Sequence, residues 1–115
     1  MRLVIQRVTK ASVTIDDNII AQIGHGFLVL VGISQEDSEE TADKMVKKLI
    51  GLRIFEDENG KTNLDLKAVY GQLLLVSQFT LYADCKRGNR PSFVKAGDPR
   101  RAKQLYEYII ASCKK

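Results

Sequence analysis

Leu73-Leu74-Leu75-Val76-Ser77-Gln78-Phe79-Thr80-Leu81 is an apolar run that breaks into polar side chains, and a basic loop, Arg87-Gly88-Asn89-Arg90-Pro91-Ser92-Phe93, follows at once. Four leading apolar residues are expected to form a strand, spanning about 72 to 81, that is buried on both faces. Ser77, Gln78 and Thr80 would then emerge at its carboxyl end, where sites are commonly built. Strict alternation would put Ser77 and Phe79 on one side of that strand and Gln78 and Thr80 on the other. The structural alternative is that Ser77 and Thr80 only satisfy buried backbone at a strand end.

Upstream of this run the pattern is antiparallel. Residues 2 to 10 and 12 to 16 read as strands, the second alternating Val13 and Ile15 with Thr14 and Asp16, and Asp17-Asn18 suits a tight turn. Ile19 to Ile23 and Phe27 to Val31 read as two more strands joined through Gly24-His25-Gly26. A first helix is marked by Asp37 or Ser38 as cap, Glu39 and Glu40 in its first turn, Lys47 and Lys48 in its last, and Gly51 as a stop. Ala42, Met45, Val46, Leu49 and Ile50 give it one apolar face. Arg53-Ile54-Phe55 and Thr62-Asn63-Leu64 flank a turn containing Asn59-Gly60, a hairpin signal. Downstream of the basic loop, Asp98-Pro99 opens a second helix, and the spacing of Ala102, Leu105, Tyr106, Ile109, Ile110 and Cys113 puts Cys113 on the buried face as an inert thiol.

Residues 1 to 115 therefore form a single α+β domain with a mainly antiparallel, barrel-like sheet core and two packing helices. No segment approaches the apolar length of a membrane span, and the first residues do not read as a signal peptide, so a soluble cytoplasmic protein with no membrane partner is expected. Cys85 and Cys113 are too few and too unpatterned for a disulfide framework or a zinc site. Cys85 reads as a surface thiol. No metal and no cofactor are expected.

Charge is uneven along the chain. Between residues 84 and 103, seven basic side chains stand against two acidic ones for a local +5, while the whole chain carries +4. Such a basic region suits a phosphate-bearing partner, the alternative being a solvated face. Acid–base groups are scarce: the one histidine, His25, sits between two glycines and reads as an exposed turn residue, which argues against a Ser-His-Asp triad.

Together with Gln6-Arg7-Val8, the two quoted segments resemble the D-aminoacyl-tRNA deacylases, along all of residues 1 to 115. Members of that family continue past the last helix into further strands carrying a Gly-Pro motif that rejects L-amino acids, whereas this chain stops at Lys115. The resemblance implies a homodimer that hydrolyses the ester joining a D-amino acid, with glycine as a further candidate, to the 3′ end of tRNA, and no DNA partner. It implies that Ser77, Gln78, Phe79 and Thr80 line the site for the terminal adenosine and the ester. Pro91, Ser92 and Phe93 would shape that pocket, and Arg87, Arg90 and Lys95 would meet phosphates, loop packing being the alternative for Pro91 and Phe93. Arg7, on the strand face of Leu3 and Ile5, is expected to be half-buried; the resemblance puts it in the pocket wall, against the plainer reading of a local salt bridge.

Thr80 is the natural candidate nucleophile of such a site, yet a threonine hydroxyl needs a base within reach and none is evident. The expected mechanism is attack by water assisted by the substrate's own ribose hydroxyl, with Thr80, Gln78 and Ser77 orienting the ester and stabilising the oxyanion. The competing readings are a catalytically impaired tRNA-binding remnant of the family and an unrelated small α+β interaction protein.

Overall fold

The computed structural model describes every residue except 83–85, 87–88, 94–95 and 115, and describes Thr80 without its side chain. Its elements are β1 (Arg2–Val8), β2 (Ala11–Ile15), β3 (Asn18–Ile23), β4 (Gly26–Gly32), α1 (Glu39–Gly51), β5 (Phe55–Glu56), β6 (Thr62–Leu64), β7 (Gln72–Ser77), a single 3-10 turn (Phe79–Tyr82) and α2 (Pro99–Cys113). The expected α+β class with two helices holds.

A three-stranded sheet in the order β1-β4-β7 forms the centre, flanked by the hairpins β2-β3 and β5-β6. β1 runs antiparallel to β4, whereas β7 runs parallel to it, with Val31 opposite Ser77 and Phe27 opposite Leu73. Parallel pairing requires a long crossover, and α1 with the β5-β6 hairpin supplies it. Central β4 is the buried strand: Phe27, Val29 and Val31 are almost wholly inaccessible and pack with Ala42, Val46 and Leu49 of α1 and Leu105 and Ile109 of α2. Two helices on one sheet face thus enclose a single core.

Several local expectations shift. β7 ends at Ser77 rather than running to Leu81, and among its apolar residues only Leu74 is fully buried, because β7 is the last strand of this sheet. The first hairpin turns at Asp16-Asp17, one residue early, with φ of 51° and 66°. Both central residues have positive φ, the pattern of the turn type whose twist matches the flanking strands. Ser38, not Asp37, caps α1 in a reciprocal capping box with Thr41. Asp37 is instead buried, its carboxylate accepting from the Met1 amine at 2.7 Å and from the Ser34 N–H at 2.7 Å. Asp98 precedes α2 without a side-chain capping bond. Cys113 does pack against the core, and burial pushes its thiol pKa up.

Candidate active site

The chain leaves the central sheet where the polar residues begin. After Ser77, the Gln78 N–H extends the ladder by donating to the Val31 carbonyl at 2.8 Å, and the Leu81 N–H closes the 3-10 turn on the Gln78 carbonyl at 3.3 Å. That turn packs tightly on the end of β4: a Cβ on Gly32 would lie 2.8 Å from the Leu81 Cβ, a contact that only glycine avoids. Arg2 of β1 holds the turn from the other side, donating to the Leu81 carbonyl at 2.6 Å with its guanidinium 4.5 Å from the centre of the Tyr82 ring. Burial first, then the nearby Asp37 carboxylate, raises the Tyr82 pKa.

A second segment returns to the same place. Ala96 bridges Ser34, and the Gly97 N–H donates to the Ile33 carbonyl at 2.8 Å. This docking brings Phe93 against Phe79, ring centroids 5.0 Å apart and planes inclined by 65°. Between the two segments and the first turns of α2 lies a pocket of about 530 Å³, lined by Ser77, Phe79, Phe93, Ile33, Lys103 and Tyr106 among others. Tyr106 forms its back wall, and its hydroxyl donates to the Leu75 carbonyl at 2.5 Å. Burial raises the Tyr106 pKa, so the phenol stays a neutral donor.

Of the candidate site residues, the structure brings together Ser77, Phe79 and Phe93. Thr80 lies in the 3-10 turn beside them, and Gln78 is half-buried at its start. Ser77 and Phe79 line the pocket together, as alternation over 77 to 80 would place them, although the chain from Phe79 is a 3-10 turn and not a strand. Pro91 and Ser92 are exposed and outside the pocket lining; Arg90 is exposed on the same loop. Arg87 and Lys95, with Cys85, lie outside the described residues.

Arg7 is placed differently from the expectation. Its register partner is Phe27, which in turn faces Leu73, four residues before Ser77 and so about 13 Å along the strand. It is exposed rather than half-buried, and it donates to the Ile54 carbonyl at 2.8 Å. Its side chain clears the sheet face because the buried alternation of β1 stops at Ile5. His25 also belongs to that far end, exposed as expected, with its ring 4.9 Å from Phe55. The chain's single histidine is thus remote from the pocket, and no carboxylate stands among the described lining residues.

Arg2, Ile33, Lys103 and Tyr106 were not singled out from sequence as site residues. Lys103 and Tyr106, three apart on α2, share a helix face, a signal that reads equally as core periodicity until the neighbouring strand is known.

The pocket lies at the carboxyl end of β7, and its described lining holds no histidine or carboxylate. The profile of the family described as D-Tyr-tRNA(Tyr) deacylase matches residues 4–115. A D-aminoacyl-tRNA deacylase of Clostridium novyi (strain NT) is 53% identical over 114 residues, covering 99% of this chain and 76% of the relative. One from Koribacter versatilis (strain Ellin345) is 54% identical over 96% of this chain and 74% of its own length. Among solved structures, a c-Myc DNA unwinding element binding protein superimposes with a TM-score of 0.93 at 40% identity, over 99% of this chain and 76% of that one. A probable eukaryotic D-amino acid tRNA deacylase, 18% identical with a TM-score of 0.83, shares the fold.

The chain belongs to the D-Tyr-tRNA(Tyr) deacylase family, whose curated relatives are hydrolases named D-aminoacyl-tRNA deacylases. It spans about three quarters of their length.

Proposed function

We propose that this chain hydrolyses the ester between a D-amino acid and the 3′ end of tRNA, with the terminal adenosine and the ester seated in the pocket at Ser77, Phe79 and Phe93. The observation that carries this reading is the pairing of an aromatic platform with a site whose described lining holds no histidine or carboxylate. Aromatic faces stack bases irrespective of sequence, and an aminoacyl ester is already activated. The ribose hydroxyl next to the ester then assists water: water adds to the carbonyl carbon, the C–O bond to the ribose breaks, and the ribose oxygen leaves with a proton. The protein orients the ester and offers donors to the oxyanion, in which Ser77, Gln78 and Thr80 take part.

Lys103 in the pocket lining and the exposed Arg90 on the loop before Phe93 favour a polyanion. A homodimer is in keeping with the hairpin β2-β3, whose Ile15, Ile19 and Ile20 are more than half exposed. A cytoplasmic setting follows from the substrate; no helix among the described residues is long and apolar enough to cross a membrane.

The test is hydrolysis of matched D- and L-aminoacyl-tRNA by this chain, with the uncatalysed rate subtracted. Cleavage of the D ester alone supports the reading in full and puts the chiral filter within these residues. Cleavage of both esters supports the activity without the selectivity. RNA binding without turnover makes the chain a binding module, and equal affinity for duplex DNA and tRNA removes the preference for RNA, a comparison prompted by the DNA element in one neighbour's name.

A further inference from the structure

The helices run in the same direction. Arg101 in the first turn of α2 donates to the Asp37 carbonyl before α1 at 2.6 Å, and the Tyr108 hydroxyl, seven residues later, donates to Asp43, six residues later, at 2.6 Å. The pocket lies at the first turns of α2, so the carboxyl end of α1 lies at the opposite end of the helix layer, about 20 Å away at 1.5 Å per residue.

At that end there is a second concavity, of about 520 Å³, lined by Lys44, Lys47, Lys48, Gly51, Leu52 and Arg53. Four of its six lining residues are cations and none is acidic. Stabilisation of the helix dipole accounts for cations in the last turn, but Lys44 lies before that turn and Arg53 lies beyond the helix. Arg53 is held in place, its Nε donating to the Asn63 carbonyl at 2.8 Å and a terminal nitrogen to the Asn63 side chain. Two carboxylates of α1 and the β5-β6 hairpin have partners of their own. Glu40 meets Lys44 at 3.6 Å with both side chains over three quarters exposed, an ion pair that salt screens, and Asp57 accepts from the N–H groups of Asn59 and Lys61 and from Asn63. Carbonyls at the helix end present only about half a negative charge against four positive ones.

We propose that this basic concavity at the carboxyl end of α1 binds the sugar–phosphate backbone of the same RNA whose 3′ end occupies the pocket. The inference rests on the proposed tRNA substrate and extends it: one end of the helix layer takes the terminal nucleotide, and the other takes phosphates further along the duplex. Cations spread over more than a helical turn, with no converging fork, suit a polyanion whose counterions they displace better than a single small anion.

The experiment is a salt titration of binding, by fluorescence anisotropy, of uncharged tRNA and of a short oligonucleotide ending in CCA, with the parent chain and with K47A/K48A. A variant of equal charge loss elsewhere, K10A/K67A, serves as control, both pairs being exposed. Loss of two duplex phosphate contacts lowers the log–log salt slope for tRNA by about 1.8, at roughly 0.9 per contact. Affinity for the CCA oligonucleotide stays within about twofold, since a ligand that short cannot span the helix layer. The inference is overturned if the tRNA slope is unchanged or if K10A/K67A lowers it equally. Failure of the parent to bind either RNA would instead remove the tRNA reading itself.

Discussion

Phe93 meets Phe79 at a centroid separation of 5.0 Å and an inclination of 65°, and this contact joins the end of the basic loop to the turn after β7. Both rings keep more than a third of their surface exposed, although each already has an aromatic partner. Exposed aromatics fixed in this way form a platform ready for a third ring.

Phe93→Ala is therefore expected to weaken binding of a CCA-ended oligonucleotide by roughly 1–3 kcal/mol, the usual worth of one stacked base. Stability changes by less, about 0.5–1.5 kcal/mol for the lost ring pair. Anisotropy and urea unfolding on the same variant separate the two, and a fall in stability with unchanged affinity would make the pair purely structural.

Thr80→Ala retains measurable ester hydrolysis if the substrate's hydroxyl and water carry the chemistry, with a loss on the order of tenfold to a thousandfold from a missing oxyanion donor. Single-turnover kinetics with D-aminoacyl-tRNA provide the check. Complete loss of turnover with intact RNA binding would restore Thr80 as nucleophile.

Gly32→Ala forces a methyl group against the Leu81 side chain and so displaces the 3-10 turn that carries Phe79 and Thr80. The expected cost is about 1–3 kcal/mol of stability from overpacking, with a larger proportional loss of activity than of stability. Thermal melts beside hydrolysis rates measure both; an active variant of parental stability would show that the turn yields freely.

Tyr106 and Tyr82 both have pKa values raised above the ordinary 10.0, first of all by burial. Raised folded values mean that the unfolded chain loses these protons first. The associated stability is thus fully present below about pH 9 and is lost as pH climbs through 10 and beyond. Tyr106→Phe removes the donor to the Leu75 carbonyl, costing about 1 kcal/mol at pH 8, and makes the alkaline decline shallower. Urea midpoints at pH 8 and pH 10.5 for parent and variant test this, and parallel declines would assign the pH dependence elsewhere.

Most elements were legible because they rest on local signals: the periodic face of α1, the proline that opens α2 and the Asn-Gly of the β5-β6 turn all act over a few residues. The end of β7 was not. Nothing within Ser77-Gln78-Phe79-Thr80 distinguishes a straight strand from one that curls into a 3-10 turn, since the turn is held by Val31, Gly32 and Arg2, through contacts between residues 47 to 79 apart. The exposure of Arg7, where half-burial is expected from its strand face, has a similar cause. Alternation predicts a strand face, but only the β1-β4-β7 register places it at the far end of the sheet from Ser77.

By itself, the sequence determined the α+β class, both helices, the concentration of charge after residue 84 and the lack of a histidine suited to a triad, because composition and short-range periodicity carry that information. Tertiary structure alone decided that Phe79 and Phe93 form one platform, that Tyr106 walls the pocket, and that Lys44, Lys47, Lys48 and Arg53 gather at the other end of the helix layer. Those relationships depend on strand register and on parallel helix packing, which are set by burial of the whole core and not by any segment's own preference.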